Sequence, residues 1–151
     1  MSYESVESAL ATILKAIAAF NDDQVTRADW RVLAGGAPHG VVLEYGGFTS
    51  SPEALAGVAV HTWTVQVHLY ARYTDETEGT GVHNVLRERR QDIIDQILKN
   101  PTLGDEVGIL LAYPTSGDWA DPQEVEIGSV VFFHEVVNVE IEERQQVVAV
   151  E

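Results

Sequence analysis

Residues 61 to 73, HTWTVQVHLYARY, alternate without interruption between two series of side chains. Trp63, Val65, Val67, Leu69, Ala71 and Tyr73 fall on one side of an extended chain, with His61 in the same phase. Thr62, Thr64, Gln66, His68, Tyr70 and Arg72 fall on the other. A period of two is the pleat of a β-strand, and a helix cannot keep it. The chain must therefore contain a long strand with one apolar face. Thirteen extended residues reach roughly 43 Å, whereas a compact domain of this length has a radius of gyration of about 15 Å. The strand is expected to bend or to project.

An apolar sheet face must be covered. Val6, Leu10, Ile13, Ile17 and Phe20 recur at steps of four, three, four and three, which gathers them on one face of a helix over residues 3 to 20. Ser2 is placed to cap its start, and Asn21-Asp22-Asp23 end the pattern. A second helix is predicted over 82 to 99 from Val82, Val85, Leu86, Ile93, Ile94, Ile97 and Leu98, stopped by Asn100-Pro101. Val41, Val42, Leu43 and Tyr45 predict a short strand ending at Gly46-Gly47, followed by a polar loop with Ser50-Ser51-Pro52. Val107 to Tyr113 reads as a buried strand, Pro114 to Gln123 as a loop around Trp119, and Val125 to Glu143 as one long strand. The second helix, lying between two strands, forms a βαβ-like crossover, right-handed if those strands are parallel neighbours. The sum is a single α+β domain spanning 1 to 151, a mostly antiparallel mixed sheet with long strands covered by two main helices. Gln145 to Glu151 is expected to dock on a neighbour or fray.

Charge narrows the function classes. Nine Lys and Arg face 24 Asp and Glu, a formal charge of -15, which repels a phosphate backbone and disfavours general nucleic-acid binding. There is no cysteine, so disulfides and thiolate metal sites are excluded. Met1-Ser2-Tyr3-Glu4 carries acid where a signal peptide carries base, and no apolar run approaches membrane-spanning length, so a soluble protein made in the cytoplasm is expected.

Catalytic motifs start and fail. His134-Glu135-Val136-Val137-Asn138 opens like the zinc-protease helix motif, but Asn138 stands at the second ligand and the surroundings read as strand. Gly79-Thr80-Gly81 precedes a helix, yet Asn84 occupies the place of the third glycine of a dinucleotide loop. His61 and His68, seven apart on a strand, fall on opposite faces and share no metal. Neither a metal nor a cofactor is expected. Gln66, His68 and Tyr70 read as a hydrogen-bonding polar face in preference to a catalytic one, and Asp118, Asp121, Glu124 and Glu126 as solvated charges or partners of another subunit's cations.

Arg87, Arg89 and Arg90 hold a third of the positive charge, and at 100° per residue Arg89 lies within the apolar arc of the second helix, with Arg90 beside it. Two readings stand: methylenes packed with the guanidinium at the edge, or a pair with carboxylates of another subunit. Phosphate binding comes third. Trp119 either folds back over the sheet or anchors an interface.

Taken together, the order of elements, with "TWTVQVHLYAR", "LRERRQDIIDQIL" and "VVFFHEVVNVEIEE" as its most telling stretches, resembles the tail terminator (tail completion) proteins of long-tailed phages over roughly residues 3 to 143. The resemblance implies a structural, non-enzymatic virion protein at the tail-neck junction. Such a protein forms a homo-oligomer, a hexameric ring, that caps the tail tube, ends its polymerisation and offers a joining surface to a head-completion or connector protein. Its partners would be sibling subunits and the tail tube protein, with DNA only passing through the lumen and no membrane involved. No family motif singles out functional residues. Strands that outrun a compact domain also leave backbone groups for a neighbour to pair. Gln66, His68, Tyr70, Arg72, Arg87, Arg89, Arg90 and Trp119 are the interface candidates, and acidic stretches such as Asp75-Glu76-Thr77-Glu78 or Asp118 to Glu126 could line a channel and repel DNA. The competing reading is a small-molecule binder or enzyme with a pocket around Tyr45, His61, Trp63 and Tyr73.

Overall fold

The computed structural model describes residues 3–18, 20, 24–27, 39–52, 58–72, 80–104, 108–117, 123–127 and 130–146. Within these, two helices, α1 (Tyr3–Lys15) and α2 (Thr80–Lys99), accompany six strands: β1 (Val25–Arg27), β2 (His39–Pro52), β3 (Val58–Arg72), β4 (Ile109–Gly117), β5 (Gln123–Ile127) and β6 (Val130–Gln146). The strands form one mixed sheet in the order β1-β2-β3-β6-β4, with β5 also on β6. Only β1 and β2 run parallel; every other pair is antiparallel. The chain is a single α+β domain.

The long alternation takes the centre of the sheet. Trp63, Val65, Val67, Leu69 and Ala71 face the helices, and Val65, Val67 and Leu69 are completely buried. Val41 and Leu43 of β2 and Val137, Val139 and Ile141 of β6 lie beside them in register. Against this face α1 packs Val6, Leu10, Ile13 and Leu14, and α2 packs Leu86, Ile93 and Ile97. Each such side chain stabilises the fold by about 1.5–3 kcal/mol.

The structure departs from the sequence reading in several places. Regular helix ends at Lys15, and Ile17 and Phe20 reach the core through tighter turns, with Ile17 N–H donating to Leu14 and Phe20 N–H to Ile17. Gly46-Gly47 does not end β2. The strand continues to Pro52, because the glycines form a bulge between Tyr45 and Gly47. A Cβ on Gly46 would stand 3.0 Å from the Thr64 carbonyl oxygen, and Gly47 has φ 141°, so close approach and backbone angle both favour glycine here. The run from Val125 to Glu143 is two strands: β5 and β6 pair antiparallel, with Ile127 opposite Val130. Gly128-Ser129, between them in sequence, lies outside the described residues. Val25–Arg27, too short to show a period in the sequence, forms the strand β1. It adds in parallel to Val41–Leu43, and Arg27 Nε donates to the buried Glu7 carboxylate at 2.7 Å, fixing the strand to α1.

The crossover is also altered. β3 and β4, joined through α2, are both antiparallel to β6, hence parallel to each other, but β6 lies between them. They are not neighbours.

The expected surplus of unpaired backbone on the long strands is not found. β3 pairs with β2 from Ala59 to Ala71 and with β6 from Val58 to Arg72. β6 is flanked by β3 on one side and by β5 and then β4 on the other. Both long strands are interior, so the margins of the sheet are β1 and β2 beyond Leu43 on one side and the outer sides of β5 and β4 on the other. The β4 margin is itself protected: Ala112 N–H donates to the Pro101 carbonyl at 2.7 Å, Pro114 has no N–H, and the ladder to β6 is irregular at two points.

Candidate functional site

The sheet face turned away from the helices carries a cluster assembled from three strands. The β3 period puts Gln66, His68, Tyr70 and Arg72 on this face, as expected, while antiparallel pairing sets His134 opposite Tyr70 and Val42 opposite His68. His68 Nδ1 lies 2.8 Å from His134 Nε2. Its other nitrogen, Nε2, lies 3.2 Å from Glu44 Oε2 on β2. The aromatic rings stack: Tyr70 on His134 at 4.6 Å and 17°, His68 on His134 at 5.1 Å and 14°, with Phe132 edge-on to Tyr70.

Burial sets the electrostatics. Tyr70 is 3% exposed, and burial, reinforced by the Glu44 charge, pushes its hydroxyl pKa well above the usual value. His68 moves down, because burial penalises the imidazolium more than the charge and hydrogen-bonding capacity of Glu44 favour it. The arrangement can store and share protons. It is not a metal cage, since the two facing ring nitrogens address each other, and among the described residues no group of three His, Cys, Asp or Glu is arranged to hold a metal.

A second cluster lies on the helix-facing side near the end of the sheet. Tyr3 of α1 meets Tyr45 edge to face at 4.7 Å, and Phe48 meets Trp63 at 4.5 Å and His61 at 5.2 Å. Tyr45, His61 and Trp63 are thus brought together as expected, but with Tyr3 and Phe48 as companions. The rings pack on one another. Trp63 Nε1 is buried and has no hydrogen-bond partner among the described residues. Burial and the neighbouring Glu7 push the Tyr3 hydroxyl pKa upward. His61, in register with Glu143, is on the opposite face from His68.

The arginines separate. Arg90 Nη1 donates to both oxygens of Glu135, a residue 3% exposed, and Arg89 Nη1 donates to Asp92 one turn along α2 at 2.6 Å. The carboxylates these two meet belong to the same subunit. Arg87 lies exposed on α2. Tyr73, Trp119, Asp75, Glu76, Glu78, Asp118 and Asp121 lie outside the described residues.

Two open clefts lie elsewhere. One of about 340 Å³ runs beside Ala16–Ala18 and carries Arg89, Asp92, Asp95 and Lys99; another of about 420 Å³ runs along Ser5, Ser8 and Thr12 of α1 to Leu103. The first mixes both signs of charge and the second is lined by small polar and apolar groups, so neither converges on one ligand chemistry.

Sequence reasoning missed Glu44 and His134 as partners of His68. The phase of β6 puts His134 on one face with Val136 and Asn138, but only strand pairing shows that this face is shared with His68. Among the described residues, no helix is long and apolar enough to cross a membrane. No family model matches the chain, and no curated protein matches it significantly.

Proposed function

We propose that the chain is a structural subunit of a ring that caps the tail tube of a long-tailed phage, ends tube polymerisation and offers the surface to which the head connector joins. The observation that carries this reading is a pair of unlike apolar margins on opposite sides of the sheet. Tyr45 and Phe48, 56% and 42% exposed, border the open side of β2; Leu110 and Leu111, 44% and 40% exposed, border β4. Register puts Phe48 and Leu111 at nearly one height, since Thr49, Thr62, Glu142 and Leu111 form a single row across the sheet.

Large apolar side chains exposed in a group favour burial against a partner. When the two patches differ and sit on opposite sides, the contact is heterologous, and a heterologous contact closes a ring if the rotation between copies permits. With Pro101 and Pro114 blunting β4, side-chain packing rather than strand addition is the contact that fits. The resemblance of the sequence to tail terminators is in keeping with this reading, and the net charge of -15 suits a channel wall that lets DNA pass without holding it.

Light scattering on the purified protein, alone and mixed with tail tube protein, tests the reading, with electron microscopy to show whether closed rings form. The expected result is a closed species several times the 16.6 kDa subunit mass. A monomer at every concentration, in both settings, removes the proposal.

A further inference from the structure

The cluster of Glu44, His68 and His134 supports a statement independent of the ring. The 2.8 Å separation between His68 Nδ1 and His134 Nε2 is a hydrogen-bond distance, so one nitrogen carries a proton and the other accepts it. The Glu44 carboxylate beside His68 Nε2 favours a proton on that nitrogen. In neutral His68 this leaves Nδ1 as the acceptor, and His134 Nε2–H becomes the donor. The hydrogen bond then runs from His134 to His68, whose protonated Nε2 stands 3.2 Å from the Glu44 carboxylate. The cluster ties together β2, β3 and β6, from residues 24 and 66 positions apart in sequence.

We infer that Glu44, His68 and His134 form a proton-responsive latch across three strands, closed while at least one of the two imidazoles is neutral and opened when both are charged. One added proton leaves a donor and an acceptor between the rings, and the resulting cation is favoured by Glu44. A second proton makes both facing nitrogens donors. The hydrogen bond is then lost and two positive charges stand in contact within a stack that also holds Tyr70.

Among the described residues, the groups facing the pair are Glu44 from β2 and Tyr70 from β3, and the backbone register of β5 sets Gln123 opposite His134. Glu44 is the anion next to the rings, with its side chain 34% exposed, and it offsets one positive charge rather than two.

The test is a nitrogen-detected NMR titration of the full chain labelled at histidine, read at Nδ1 and Nε2 of each ring. His68 and His134 are expected to titrate as a pair in two steps separated by about one pH unit or more, with chemical shifts that move together. Replacing the donor side, His134→Phe, is expected to collapse the His68 curve to one step. Glu44→Gln, a change at a partly exposed side chain, is expected to move the first step to lower pH, and it keeps the proposal testable should His134→Phe fail to fold. Two independent single-site curves in the wild type, or an unchanged first step in Glu44→Gln, overturn the latch. Neither result depends on whether the protein forms rings.

Discussion

Arg90 Nη1 bridges the two carboxylate oxygens of Glu135 at 3.0 and 2.9 Å, joining α2 to β6 across 45 positions of sequence. Glu135 lies on the helix-facing side, opposite Leu69, on a face that is otherwise apolar except towards His61 and the buried Glu143. A carboxylate so deeply placed is tolerable because its charge is met.

Removing that cation has a definite cost. Arg90→Met is expected to lower unfolding stability by roughly 3 kcal/mol, because a buried charge loses its counter-ion. Arg90→Met with Glu135→Leu should recover much of the loss. Urea unfolding of the two variants checks both values, and a double variant no better than the single one would contradict this account.

Gly46→Val should destabilise by roughly 1–3 kcal/mol, the usual cost of overpacking, since its Cβ would meet Thr64 O and Gln66 Cγ at 3.0 Å. The same change at Gly47 has open space around the added carbon but strains a φ of 141°. Thermal unfolding of the two variants separates contact from backbone strain.

Trp63 gives a contrast between chemistry and volume. Trp63→Phe keeps a ring against Phe48 and Tyr3 while removing a buried N–H that lacks an acceptor among the described residues, so stability should change by less than about 1 kcal/mol. Trp63→Ala should cost roughly 3–5 kcal/mol. Equal losses in the two variants would mean that the indole N–H has a role the packing does not show.

Acid should weaken the fold through His68. Its folded pKa lies below the ordinary histidine value, with burial the main cause, so the unfolded chain binds more protons as pH falls below about 6.5. The stability this group contributes is present above that pH and is lost as pH falls through the folded pKa. Thermal midpoints of wild type and His68→Gln, compared from pH 7.5 to 5, should show the steeper decline in the wild type.

If the two apolar margins meet between copies, Phe48→Glu and Leu110→Glu should each lower the assembled fraction at least tenfold while leaving the circular dichroism of the monomer unchanged, both side chains being more than 40% exposed. Sedimentation velocity reads the fraction directly. A normal assembly in both variants would place the contact elsewhere.

Much of the architecture was legible because it is local. The alternation through Trp63, Val65, Val67 and Leu69 can only be a strand with one buried face, and the spacing of Val6, Leu10 and Ile13 can only be satisfied by a helix lying on it. Failures arose where one residue type serves two geometries. Gly46-Gly47 fits a turn as well as a bulge, and the difference lies in whether Thr64 stands opposite, which nothing nearby in sequence reveals. The apolar run around Gly128-Ser129 fits one long strand or a hairpin.

The sequence by itself determined which faces are apolar, how strongly acidic the molecule is and the absence of any complete catalytic motif. Tertiary structure alone decided that β3 and β6 are interior, that Arg90 neutralises Glu135 within the subunit, and that His68 meets both His134, at hydrogen-bond distance, and the Glu44 carboxylate. The physical reason is one of range. Side-chain periodicity follows from backbone geometry within a few residues, whereas a meeting of β2, β3 and β6 depends on register between distant segments, which is set by the packing of the whole sheet.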